Sequence, residues 1–93
     1  MSKLAVEVAT SAMLLTPQHV RAARGLLGWS RRELSIVSRV SHNTIKAMEL
    51  GQTDPRRSTL VKLSRTFAMH EILFVTGVAG DGVMLRREGE RLG

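Results

Sequence analysis

The chain has no cysteine among its 93 residues, which excludes a disulfide framework and a thiolate zinc site and permits a reducing compartment. We therefore expect a cytoplasmic protein. It has no apolar run near the roughly 18 residues that a membrane span needs. The N-terminus does not combine a basic start, a long apolar stretch and a cleavage site, so secretion is disfavoured. The three histidines, His19, His42 and His70, stand too far apart to suggest a ligand pair, and neither a metal nor a cofactor is expected. Catalytic signatures are missing too. There is no Gly-x-Ser-x-Gly elbow, no His-Glu-x-x-His pair and no phosphate-cradling glycine loop before a helix, and the carboxylates are dispersed. An enzyme is not expected.

The sequence does contain a stretch, residues 30–51, that reads as two short helices joined by a tight turn. Ser30 is placed to cap the first, and Glu33 completes a Ser-x-x-Glu capping box. Leu34 and Val37 share a face, the pattern breaks at Ser38-Arg39-Val40, and Ser41 caps a second helix. In that helix Ile45 and Met48 face inward while His42, Asn43 and Lys46 face outward, and Gly51 ends it. Glu33 is accounted for as a capping residue, and Glu49 reads as an ion-pair or helix-end group.

Charge is concentrated around this unit. The formal charge is +6 overall. Residues 16–65 hold ten Lys and Arg against Glu33, Glu49 and Asp54, a net of +7. Such an excess is either a solvated face or a polyanion site, where cations release condensed counterions. Its coincidence with the two-helix unit favours DNA, because two short helices, the second with small polar side chains in its first turn, are the arrangement that sets a recognition helix in a major groove.

Leu26-Leu27-Gly28-Trp29-Ser30, Glu33-Leu34, Val40-Ser41, Thr44-Ile45 and Glu49-x-Gly51 together resemble the phage-repressor and Cro type of helix-turn-helix, the xenobiotic-response-element family, over roughly residues 16–69. Two positions depart from the family pattern: Arg31 stands where glutamine is usual, and Arg39 where the turn usually has glycine. Arg39 then implies either a left-handed residue under strain or a rerouted turn. The resemblance implies a mainly α, four- to five-helix repressor-like domain with a C-terminal β-hairpin. It also implies a DNA-binding transcriptional regulator, more readily a repressor, that binds a two-fold operator as a homodimer through residues 41–50. The residues expected to meet DNA are Arg31, Arg32, Ser41, His42, Asn43, Thr44, Lys46, Gln52, Thr53, Arg56 and Arg57. Asn43 leads them, since its amide can pair with N7 and N6 of adenine, although an Asn there can also satisfy local backbone groups.

Around this centre the chain divides into an arm at 1–15, a domain at 16–70, a hairpin at 71–88 and a tail at 89–93. The arm supports strand and helix equally: Leu4, Val6 and Val8 alternate, while Ala5, Ala9, Ala12 and Met13 keep helical spacing. Thr16-Pro17 begins a helix over 17–27 with Val20, Ala23 and Leu27 inward, and Gly28 stops it. Trp29 reads as a core or hinge residue, with base stacking as the minor reading. The loop at 52–55, with its backbone N–H groups and the Gln52 and Thr53 side chains, suits a phosphate. A helix over 56–69 follows, with Leu60, Leu63 and Phe67 inward.

Residues 72–75 and 83–85 are short strand-forming runs with Gly77, Gly80 and Gly82 between them, a hairpin. Two strands alone are marginal, so the hairpin should pair with a second chain, the N-terminal arm, or both. Ile72, Phe74, Val83 and Leu85 are the expected dimer contacts. The competing reading is an antitoxin or antiactivator whose main partner is another protein. It is motivated by Ile36, Leu50 and the apolar arm, which could form an exposed apolar surface.

Overall fold

The computed structural model describes residues 6–9, as backbone, and 15–87. The rest of the expected arm, residues 1–5 and 10–14, the last residue of the expected hairpin, 88, and the tail at 89–93 lie outside the described residues. Strand β1 (Val6–Ala9) leads into helices α1 (Pro17–Leu27), α2 (Arg31–Ser38), α3 (His42–Glu49) and α4 (Arg57–Met69), and a hairpin of β2 (Ile72–Gly77) and β3 (Gly80–Leu85) follows. The described residues thus hold four helices and one antiparallel sheet in the order β1-β2-β3.

Local chemistry sets each helix end. Thr16 caps α1: its hydroxyl accepts from the His19 N–H at 3.2 Å, while His19 Nδ1 accepts from the Thr16 N–H at 3.1 Å. This is a capping box with histidine in the place of glutamate. Ser30 and Glu33 form the expected box on α2, with bonds of 3.0 and 2.7 Å. Ser41 caps α3 by accepting from the Thr44 N–H at 3.1 Å. The left-handed glycines Gly28 (φ 71°) and Gly51 (φ 69°) close α1 and α3. In each case the glycine and the residue after it bond back to the last helical turn: Gly28 to Gly25 and Trp29 to Arg24, Gly51 to Met48 and Gln52 to Ala47. Helix α4 starts at Arg57, one residue later than expected, and its N-cap Arg56 makes no side-chain capping bond.

Of the two possibilities at Arg39, the strained one is found. Its φ of 64° and ψ of 27° are left-handed, a conformation that costs a residue with a Cβ roughly 1–2 kcal/mol. The turn is held by the Arg39 N–H on the Ser35 carbonyl at 2.9 Å and by the Val40 N–H on the hydroxyl of buried Ser38 at 3.2 Å.

For residues 6–9 the open question at the N-terminus resolves to a strand. Val6 to Ala9 pair with Gly77 to Phe74, so β1 covers the edge of β2 that the hairpin leaves bare. The hairpin strands also run further than their apolar cores. Gly77 lies opposite Gly80, and only Val78 and Ala79 form the turn. Glycine weakens a strand, yet the register carried by Phe74↔Val83 and Ile72↔Leu85 extends pairing to the turn.

The core lies where the helices meet the sheet. Leu34, Ile45, Met48, Leu63 and Phe67 are buried together with Ile72 and Phe74, and each such side chain stabilises the fold by about 1.5–3 kcal/mol. Phe67 of α4 meets Phe74 of β2 edge to face at 6.1 Å, joining the helical layer to the sheet. Trp29 packs against this core and meets His70 edge to face at 4.8 Å. The core-or-hinge reading of this residue therefore agrees with its position.

Candidate nucleic-acid interface

Helix α3 is fixed from behind by a buried carboxylate. Glu49, in its last turn, is 1% exposed. Its Oε2 accepts from Arg24 Nε at 2.7 Å, and its Oε1 from Arg24 Nη2 at 2.8 Å and Arg31 Nε at 2.9 Å. Arg24 also donates from Nη1 to the Trp29 carbonyl at 3.0 Å, and Arg21 reaches the Glu49 carbonyl. Residues of α1, α2 and α3 thus meet on one side chain. Burial pushes the Glu49 carboxyl up, but the hydrogen bonds from Arg24 and Arg31 and their positive charges outweigh it and hold the group below its ordinary value. The bond to Glu49 likewise raises Arg24.

With its C-terminal turn held, α3 presents its first turn to solvent. Asn43 and Lys46 are exposed, and His42 and Thr44 are half-buried. Ser41 donates to Thr44 Oγ1 at 2.7 Å, so both hydroxyls already serve the helix start. Asn43 and Thr44 share an open groove of about 520 Å³ with Thr53 and Arg56. Four of the residues singled out in the sequence therefore converge on one concavity, between the first turns of α3 and α4.

The others stand around it in different ways. Arg32, Gln52 and Arg57 are exposed. Arg31 is held by Glu49, with a side chain 27% exposed. The backbone of the 52–55 loop is less available than expected, because the Gln52 N–H is used on the Ala47 carbonyl at 2.9 Å to close α3. Thr59 also lines the groove and was not anticipated. Its signal was there in the helical spacing, three residues after Arg56. Asp54 lines it as well, a negative group on a surface otherwise suited to anions.

The expected dimer contacts differ in their exposure within the single chain. Ile72 and Phe74 are 1% and 3% exposed within the single chain. They alternate on the face of β2 that packs on α4. Val83 and Leu85 are half-buried against the same core, and Met84, between them, is the exposed apolar residue of β3.

Among the described residues no helix is long and apolar enough to cross a membrane. A comparison with the curated proteins returns no match, and neither does one with the solved structures. The family model described as helix-turn-helix matches residues 20–72. That span covers more than half of the chain and runs from α1 to the start of β2, including the capped pair α2 and α3 and the groove at the start of α3. The chain accordingly belongs to the helix-turn-helix family of the xenobiotic-response-element type, whose members are DNA-binding transcriptional regulators.

Proposed function

We propose that the protein is a sequence-specific repressor that binds a two-fold operator as a homodimer, with α3 in the major groove. The observation that carries this reading is the convergence of Asn43 and Thr44 with Thr53 and Arg56 on one open groove. In this reading base-reading side chains and a phosphate-seeking cation share one surface. In this reading Asn43 reads a base, and Lys46 and His42 flank it. Arg56, Arg57, Arg32 and the Gln52 and Thr53 side chains take phosphates. Arg31 contributes through whatever part of its guanidinium Glu49 leaves exposed. The helical unit at 16–70 is the DNA-binding domain and the hairpin at 71–88 the dimerisation element, acting through the edge of β3 and Met84. The protein acts in the cytoplasm, without a cofactor and without a catalytic role.

Footprinting on the DNA just upstream of the protein's own gene tests the proposal. Protection of two half-sites about one helical turn apart, centred on a pseudo-palindrome, is expected. Uniform protection at every sequence, with no site selected from a randomised library, would show that binding is electrostatic only.

A further inference from the structure

A second groove lies on the far part of α4 from the Asn43 site, between the C-terminal halves of α2 and α4. It is open, about 280 Å³, and lined by Val37, Arg39, Lys62, Arg65 and Met69 over the buried hydroxyl residues Ser38 and Thr66. Its apolar side chains are exposed: Met69 is 72% and Val37 43% exposed. Its rim is cationic. No carboxylate lines it, and none of Arg39, Lys62 and Arg65 is ion-paired within the described residues.

Arg39 adds an independent observation. It holds a left-handed backbone that glycine would adopt without steric cost, and arginine stands there all the same. Here the side chain is a cation in the same lining as the apolar Val37 and Met69.

We infer that this groove docks an acidic amphipathic helix of another protein, whose apolar stripe covers Val37 and Met69 and whose carboxylates meet Arg39, Lys62 and Arg65. A helix laid between two helices buries a stripe at i, i+3, i+4 and i+7, and the flexible thioether of Met69 adapts to such a stripe. Cations in the lining select carboxylates and speed encounter. A DNA backbone fits the charges but not the apolar lining, because phosphates give the exposed side chains of Val37 and Met69 nothing to bury. The inference goes beyond the DNA reading and does not depend on it.

The test uses the full chain and a fluorescent helical peptide of about 18 residues, long enough to form a helix, with Leu on one face and Glu on the other. Its controls are the same peptide with Lys for Glu and a nonspecific DNA duplex. The acidic peptide should bind, with amide shifts clustered at Val37, Arg39, Lys62, Arg65 and Met69. M69S and R65Q should each weaken it about tenfold, as truncation of a central anchor does. N43A should leave it unchanged. All of these side chains are on the surface, so the variants keep the core intact. Three results would overturn the assignment: no binding at about 1 mM acidic peptide, equal binding of the lysine peptide, or peptide affinity indifferent to both M69S and R65Q. If M69S and Val37→Ser instead lower duplex affinity, the face belongs to DNA.

Discussion

Arg24 and Glu49 meet through two parallel hydrogen bonds of 2.7 and 2.8 Å across a sequence separation of 25 residues. The planar guanidinium matches the carboxylate geometry, a pairing that lysine cannot reproduce. The carboxylate has no exposed surface of its own. The position of α3 relative to α1 therefore rests on a charge that must remain paired.

Replacing Glu49 by Leu removes the acceptor that Arg24 and Arg31 share. We expect a loss of about 3 kcal/mol in unfolding free energy, the scale for breaking a buried ion pair, read from the urea midpoint. Acid should act on the same group. Its folded value lies below the ordinary 4.5, so its stabilisation is complete above the unfolded value and is lost as pH falls through the folded one. Wild type should thus lose more stability than E49Q below about pH 4.5. Parallel acid profiles for the two proteins would contradict the assignment.

Arg39→Gly relieves a left-handed residue that carries a Cβ. The gain of roughly 1–2 kcal/mol is partly offset by the greater freedom of glycine in the unfolded chain, about 0.5–1 kcal/mol. The thermal midpoint should rise. A fall would mean that the Arg39 side chain stabilises the fold by more than the backbone strain costs.

Asn43 is exposed at the groove, whereas the start of α3 is held by Ser41 and Thr44. Asn43→Ala should leave the melting temperature almost unchanged while relaxing preference at one position per half-site, worth about 1–3 kcal/mol against the other bases. Arg56→Gln should instead weaken specific and nonspecific DNA alike and lower the salt slope by about 0.9. Selection from a randomised duplex library, repeated at several salt concentrations, separates the two outcomes.

Phe74→Asp places a charge against Phe67 in the core and should unfold the chain rather than dissociate a dimer. Met84 is 45% exposed on β3, so Met84→Asp should keep the fold and reduce association. Sedimentation at tens of micromolar shows which holds, and a wild-type monomer there would rule out the homodimer.

What could be read from the sequence is what is decided within a few residues. The Ser30 and Glu33 box, the Ser41 cap and the stops at Gly28 and Gly51 each involve groups no more than five positions apart. The partners of Glu49 were not legible, because charge alone did not distinguish Arg24 and Arg31 from the other basic residues of the segment. The pairing of β1 with β2 was equally hidden: alternation in the arm competed with helical spacing, and the bare edge of β2 decided between them. The packing of the expected dimer residues was hidden for a related reason. Strand alternation says that Ile72 and Phe74 share a face, but not whether that face meets α4 or a second chain.

Trp29 is the single tryptophan of a chain that has no tyrosine. Its ring lies against His70, and its carbonyl is bound by Arg24. Excited at wavelengths that the two phenylalanines do not absorb, the molecule therefore emits from the seam between the end of α1 and the end of α4, one hydrogen bond away from the Glu49 cluster. The protein carries its own optical probe of that seam. Loosening of α3 from α1 will register in the spectrum without any label, while events confined to the groove around Asn43 occur beyond the ring's immediate contacts.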